Sequence, residues 1–171
     1  GIAMHSPARD WTHANGVSFD AAHGQYIISL YWYEQLLFVS AETGAIEATL
    51  GGAASSWSIP PGGGFGPQHS PVATPDGLWL FDNGFGHGGP SRLLRYSLDD
   101  EAGVAEVEWE RGFEGAPDFT IMEGDILPMD NGYVAASFGM LGAAWVLDAD
   151  GQLVWEIEAV APVVLARGDD R

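Results

Sequence analysis

The hydrophobic positions of the chain fall into short runs separated by polar turns, and three segments repeat one plan. Each has a short strand, a turn closing on glycine, an apolar strand, a third strand ending in an acidic turn, and a fourth strand; the segments are residues 15–52, 69–110 and 124–158. In the first, the run YIISLYW is nearly continuous in apolar residues, as expected of a strand covered on both faces. The turn AETGA has the sequence of a hairpin turn with glycine at a positive φ. The pattern predicts an all-β chain.

Glycines mark the same two turns in all three segments, at intervals of about fifty residues. The first turn closes at Gly24, Gly77 and Gly132, and the later turn at Gly44, Gly103 and Gly151. Four strands per repeat at about this period are typical of β-propeller blades, each of which buries its faces against its neighbours. The fold predicted is therefore a propeller of four-stranded antiparallel blades. The alternative is a β-sandwich whose turns share the spacing by coincidence.

We predict a single domain over residues 1–171, with three blades. Since three blades rarely close a ring, the domain is expected to be a partial propeller, completed either by further blades outside this chain or by self-association. The predicted blades are residues 13–52, 69–111 and 122–160, and the predicted innermost strands are residues 15–20, 70–75 and 125–129.

Composition limits the partners of such a domain. The chain has 171 residues, a formal net charge of -18, and six basic residues, all of them arginine. Nucleic acids and anionic membrane surfaces are bound through basic patches, which this sequence lacks, so neither is an expected partner. The absence of cysteine excludes disulfides and thiolate metal sites, and no run of 18 apolar residues predicts a membrane span.

Two histidines occupy matching positions in the repeat. His13 and His69 each precede an aspartate, Asp20 and Asp76, by seven residues, and each leads into a predicted innermost strand. Innermost strands line the channel of a propeller, so the two imidazoles are expected to converge at the channel mouth; the third segment has Glu123 at this place. A neutral imidazole can act as a nucleophile, and a protonated one can donate to an oxyanion. The alternative is that each ring is buried in its own blade interface.

Further polar residues follow the motif FDNG in the second segment. Asn83 and His87 fall in a glycine-rich loop, where His87 is either a ligand-binding residue or an idle, exposed one. Arg92 has the planar fork that suits an oxyanion, or it forms an ion pair with Asp99 or Glu101. A metal site made from the histidines with Asp10 or Asp82 lacks any supporting ligand spacing, so no metal is predicted.

The motifs together resemble the bacterial arylsulfotransferase family, from about Asp10 to Glu158. The resemblance is carried by DWTHANGVSFD, TGAIEATLGG, PQHSPVATPDGLWLFDNG with SRLLRYSLD, and GDILPMDNGYVAASFG with LDADGQLVWEIE. It implies a six-bladed propeller that binds an aryl sulfate at the channel entrance. It also implies transfer of the sulfuryl group through a sulfohistidine to a phenol, without a cofactor or nucleotide donor, and a periplasmic or secreted location.

Matched residue by residue, the resemblance implies that His13 and His69 are catalytic and that Asn83, His87 and Arg92 bind the substrate. Either His87 or Arg92 takes the place of the family's arginine. The family's nucleophilic histidine belongs to a later blade, whereas no histidine follows His87 here. Three interpretations are open: the nucleophile lies beyond Arg171, His69 or His87 has its role, or the chain is a non-catalytic propeller that binds a ligand or a protein partner.

Overall fold

The computed structural model describes residues 10–85, 88–113 and 119–158, which form three antiparallel four-stranded sheets. Strands neighbour one another in sequence order within each sheet, which we call blades 1 to 3. Blade 1 consists of β1 Ala14–Asp20, β2 Gln25–Leu30, β3 Gln35–Ser40 and β4 Ile46–Gly51. Blade 2 consists of β5 Gln68–Thr74, β6 Gly77–Asp82, β7 Arg92–Asp99 and β8 Val104–Gly112. Blade 3 consists of β9 Asp125–Pro128, β10 Val134–Phe138, β11 Ala143–Leu147 and β12 Leu153–Glu158.

The first strands of the blades lie side by side, as the innermost strands of a propeller do. β1 packs against β5, and β5 against β9. The Asn15 side chain donates to the Gln68 carbonyl over 2.6 Å, and Ser70 donates to the carboxylate of Asp125. The all-β prediction is confirmed, and the three segments form separate sheets in place of the two stacked sheets of a sandwich.

The turns explain why the chain reverses where it does. All six glycines of the two predicted series have positive φ, from 64° at Gly24 to 134° at Gly77. At Gly77 a side chain would also collide with the backbone carbonyl of Tyr96 on β7. Glycine is therefore required there by both conformation and space.

The connection between the second and third strands differs from the prediction in blade 1. The strand β2 ends at Leu30, and Tyr31–Tyr33 form a 3₁₀ turn closed by Glu34 in the left-handed conformation, so the predicted strand YIISLYW is two residues too long. Blade 3 has the same device at Gly139–Leu141. No helix within the described ranges is long and apolar enough to cross a membrane.

Blade 2 is buried on both faces because its side chains alternate between two apolar clusters. Leu78 and Leu80 of β6 face blade 1, whereas Trp79 and Phe81 face blade 3. The first cluster also contains Leu36 and Phe38 from β3 together with Trp57 from the linker, and the second contains Phe138 and Trp145. Both clusters join side chains of two neighbouring blades, so the blades stabilise one another by burying apolar surface between them.

Blades 1 and 3 each have one sheet face that points away from blade 2, which we call the outer face. Both outer faces carry apolar side chains that are exposed to solvent. Blade 1 presents Val17, Phe19 and Tyr26 on one side of its sheet, and blade 3 presents Leu127, Trp155 and Ile157. Like the two interfaces on either side of blade 2, these faces consist of aromatic and aliphatic side chains. Completion of the ring by further blades or by a second copy stays a prediction.

Replacing Leu80 by Ala tests the inter-blade core. Leu80 is fully buried, so its truncation is expected to lower the free energy of unfolding by about 2–5 kcal/mol. Leu153→Ala is the matched control, because Leu153 is 42% exposed and its loss is expected to change stability by no more than about 0.5 kcal/mol. Urea unfolding measures both. Equal losses in the two variants would contradict a core located between the blades.

Candidate functional site

The predicted histidines lie at the same end of the innermost strands. His13 directly precedes β1, and His69 is the second residue of β5. At this end the backbone is left-handed at four residues other than glycine: Glu34 in the 3₁₀ turn after β2, with φ of 50°, and, in or next to the starts of the innermost strands, His13, Ser70 and Glu123, with φ of 47°, 51° and 63°. Each such residue costs about 1–3 kcal/mol and persists only where its surroundings impose it. Backbone strain is thus concentrated where the three inner strands begin.

The ring of Tyr31 lies against both histidines. Its centroid is 5.1 Å from that of His13 and 5.6 Å from that of His69, both in edge-to-face geometry. The Tyr31 N–H donates to the His13 carbonyl over 3.1 Å, and the hydroxyl donates to the carbonyl of Ile121, just before blade 3. Burial raises the pKa of Tyr31, which keeps the hydroxyl protonated and able to donate. Tyr31 of blade 1 therefore contacts both histidines and the segment that leads into blade 3.

Asp10 sets the tautomer of His13. Nδ1 of His13 lies 2.6 Å from Oδ2 of Asp10, in a partly exposed contact. Since an ionised carboxylate only accepts hydrogen bonds, Nδ1 carries a proton and Nε2 is left for another partner. No hydrogen bond to this Nε2 comes from residues 10–85, 88–113 or 119–158.

Asn83 sets the tautomer of His69 in the same way. Nδ2 of Asn83 donates to the carbonyls of Thr120 and Glu123 over 2.9 and 2.8 Å, which turns the amide oxygen towards Nδ1 of His69, 2.7 Å away. The amide oxygen is an acceptor, so Nδ1 of His69 is protonated and the lone pair is on Nε2. Asn83 is fully buried, so this orientation is fixed by the fold.

The environment of His69 favours its neutral form. Burial lowers the pKa of His69, and the neighbouring His13 acts in the same direction. The hydrogen bond to Asn83 and the carboxylate of Asp125 oppose this shift without reversing it. At neutral pH the ring therefore presents an unprotonated Nε2, which is the nucleophilic form of imidazole.

Arg92 occupies a structural position instead of an open one. Its Nε and Nη2 donate to Oδ2 of Asp82 over 2.9 and 2.7 Å, Nη2 also donates to the Gly64 carbonyl, and Nη1 lies 3.4 Å from Glu110. Burial opposes the charged form of Arg92, but the Asp82 carboxylate raises its pKa overall. The expected ion pair with Asp99 or Glu101 is therefore wrong, because Asp82 is the cross-strand neighbour of Arg92 between β6 and β7.

The other described arginines also have partners on the blades. Arg95 lies over the ring of Trp79 and Arg111 over that of Trp145, at 5.4 and 5.9 Å. His87 lies outside the described residues. Within those residues no three histidine, aspartate or glutamate side chains are grouped as metal ligands. Asp10 contacts His13, whereas Asp82 is committed to Arg92.

The sequence indicated some of these residues and missed others. It singled out His13, His69 and Asn83, which the structure places in one hydrogen-bonded and ring-packed group with Tyr31. Tyr31 is assigned by the sequence to a strand interior, because aromatic residues favour strands and the run Tyr31–Tyr33 carries no local signal for a turn. Asn83 contacts the histidine ring, so its expected contact with substrate stays a prediction. An open cleft elsewhere, between Gly51–Ala53 and Phe65, contains none of the predicted site residues.

Comparison with known proteins gives one family and several solved structures. The profile of the family described as Arylsulfotransferase (ASST) matches residues 1–146, and no curated protein matches the chain. The gluconolactonase PpgL of Pseudomonas aeruginosa is 18% identical with a TM-score of 0.56, over 90% of this chain and 42% of PpgL. The β-propeller domain of Myceliophteria thermophila Cps50 (Swd1) is 15% identical with a TM-score of 0.54, over 86% and 44%. BamB from Moraxella catarrhalis is 22% identical with a TM-score of 0.50, over 91% and 39%.

These likenesses concern the fold, and they identify the three sheets as propeller blades. The chain spans about two fifths of the length of each of these structures.

Arg92→Met tests the structural assignment of this arginine. It leaves the buried Asp82 carboxylate without its partner and is expected to cost about 3–5 kcal/mol of unfolding free energy. Arg95→Met is the control, with an expected loss of at most about 2 kcal/mol because, among the described residues, the contact of the Arg95 guanidinium is with the ring of Trp79 and not with a buried carboxylate. If Arg92→Met weakens oxyanion binding while stability is unchanged, Arg92 belongs to the site after all.

The protonation of His69 can be followed by NMR of its ring, assigned against His69→Gln. The midpoint is expected below the ordinary value of about 6.5. Because the unfolded chain binds this proton at a higher pH than the native chain, the stability due to His69 is present above about pH 6.5 and is lost as the pH falls through the native pKa. A midpoint at or above the ordinary value would contradict the burial argument.

Proposed function

The chain belongs to the arylsulfotransferase family, and we propose that it transfers a sulfuryl group from an aryl sulfate to a phenol through His69. His13 acts beside it as proton donor and acceptor. The proposal concerns the site at the start of the three innermost strands.

One observation carries the proposal: both imidazoles have Nδ1 bonded to an acceptor, and both rings pack on Tyr31. Asp10 and Asn83 are different acceptors, a carboxylate and an amide oxygen, at 2.6 and 2.7 Å. Both leave Nε2 as the atom for the reaction. Two histidines with purely structural roles would not need matching tautomers around a shared ring.

The two acceptors favour different roles. An amide oxygen carries no net charge and His69 is largely buried, so its ring stays neutral and suits a nucleophile. The carboxylate of Asp10 accepts the Nδ1 proton of His13 and leaves Nε2 available for proton exchange, so we assign this ring the role of an acid towards the leaving phenolate and of a base towards the incoming phenol.

The reaction then proceeds in two balanced steps. In the first step, Nε2 of His69 attacks sulfur, so that the N–S bond forms and the S–O bond to the aryl group breaks. The leaving oxygen takes a proton from His13, and the product departs as a phenol. In the second step the oxygen of the acceptor phenol attacks sulfur and gives its proton to His13. The N–S bond breaks, and the electron pair returns to Nε2.

The net charge of -18 does not by itself oppose an anionic substrate. Exposed carboxylates more than about 8 Å away are largely screened at physiological ionic strength. Charge spreads over the sulfuryl oxygens during transfer, as it does in phosphoryl transfer, so positioned donors matter more than the total charge.

A second candidate function, a non-catalytic propeller that binds a ligand or a protein partner, is favoured by one observation. Arg92, the candidate for an oxyanion-binding arginine, is committed to Asp82 and Glu110. Under either function we expect the periplasmic or secreted location that the family resemblance implies.

The test is to mix the protein with p-nitrophenyl sulfate and record its intact mass before and after adding phenol. The mass is expected to rise by one sulfuryl group, located on His69, and to return with phenol. His69→Gln should abolish the increase, and His13→Gln should slow it about 10²- to 10⁴-fold.

His23→Gln is the matched control. His23 is exposed, bonds to Asp20 and lies in the turn at the opposite end of β1, so its loss should leave the reaction unchanged. A folded protein that binds the sulfate without a mass increase would favour the non-catalytic function. A sulfuryl group on another residue would overturn the role given to His69.

A further inference from the structure

The end of the domain that carries the histidines also carries exposed large apolar side chains. The 3₁₀ turns after β2 and β10 and the loop after β6 each present at least one, and the segments leading into β1 and β9 present one each. We call these six residues the apolar rim: Trp11, Trp32, Tyr33, Phe85, Phe119 and Met140.

The opposite end of the described blades has the reverse character. Its turns present carboxylates, namely Glu42, Asp76, Asp100, Glu101, Asp130 and Asp150, all of them exposed. Met129 is the single large apolar side chain among the exposed residues of these turns. In so acidic a chain, the concentration of exposed apolar side chains at the end with the histidines indicates a contact made there.

Trp32 is the member of the rim that reaches the histidines. Its ring centroid lies 5.6 Å from that of His13 and 4.9 Å from that of Tyr31, both in edge-to-face geometry, and the residue is 44% exposed. The backbone N–H of Trp32 donates to the Thr12 carbonyl over 3.4 Å, which holds the residue next to the segment that carries His13. Tyr33, the next residue in the chain, packs edge to face on Trp11 with their centroids 6.0 Å apart, and both side chains are exposed.

We propose that Trp32, supported by Trp11 and Tyr33, binds the aryl ring of the sulfate donor and so selects aryl over alkyl sulfates. This inference rests on the proposed function, since it assigns the part of the substrate that lies next to the sulfuryl group. Aromatic pairs prefer centroid separations of about 4.5–7 Å, and the indole of Trp32 is 44% exposed next to the imidazole of His13. A ring held there lies one oxygen away from a sulfuryl group within reach of the histidines.

The chemistry also gives the selectivity a physical reason. An indole offers a flat, polarisable surface that a planar ring covers fully and a flexible alkyl chain covers poorly. The alkyl chain also loses rotational freedom when it is ordered on the surface. Inorganic sulfate has neither group, so its affinity is expected to be independent of Trp32.

Equilibrium dialysis with Trp32→Ala and three probes tests the proposal. The affinity for p-nitrophenyl sulfate should fall about tenfold, that for hexyl sulfate should fall less, and that for inorganic sulfate should not change. Trp32→Phe should recover most of the loss. Trp155→Ala is the matched control, because Trp155 is 49% exposed on the outer face of blade 3, and it should bind all three probes as the unchanged protein does.

Two results would overturn the proposal: unchanged affinity for p-nitrophenyl sulfate in Trp32→Ala, or an equal loss for inorganic sulfate, which would make Trp32 a support for His13. Failure of the proposed function is seen separately. If binding of p-nitrophenyl sulfate depends on Trp32 but His69 never gains a sulfuryl group, the result supports the aryl-binding role of Trp32 and overturns the proposed transfer reaction.

Discussion

The hydrogen bonds of one buried amide, that of Asn83, fix the geometry on which the site depends. The amide nitrogen is committed to two carbonyls in the segment before blade 3, and the oxygen is therefore turned to His69. Leaving either group unsatisfied in the interior would cost about 1–3 kcal/mol. The tautomer of His69 is thus decided by folding, before any ligand arrives.

The site is also a product of packing between blades. Tyr31 comes from blade 1, touches His69 of blade 2, and bonds to a carbonyl in the segment leading to blade 3. Gln68, next to His69, is fully buried and donates to Ser29, Leu30 and Gln35 of blade 1. No single blade contains these contacts, so the arrangement of the histidines and the cohesion of the blades have the same origin.

The sequence was informative about the fold because local chemistry repeats along it. Glycines with positive φ recur in equivalent turns, and the alternation of apolar residues in β6 reflects a sheet buried on both faces. The positions of the two histidines followed from the same repeat. These features depend on neighbours in the chain and can be recognised without knowing what lies across an interface.

The parts that escaped prediction depend on register and on contacts between blades. Arg92 faces Asp82 because β6 and β7 pair in a particular register, whereas Asp99 and Glu101 are near it only in sequence. Tyr31 looks like a strand residue until the chain turns at Leu30. Its contact with His69 spans 38 residues and has no local signature.

The engagement of the described arginines elsewhere has a thermodynamic consequence for the site. Arg92, Arg95 and Arg111 contact Asp82, Trp79 and Trp145, so each arginine within the described residues is engaged by a partner in the blades. An oxyanion bound beside the histidines would therefore be held by the hydrogen-bond donors of the site and not by one of these guanidinium groups, so its affinity would depend on how accurately the fold places those donors.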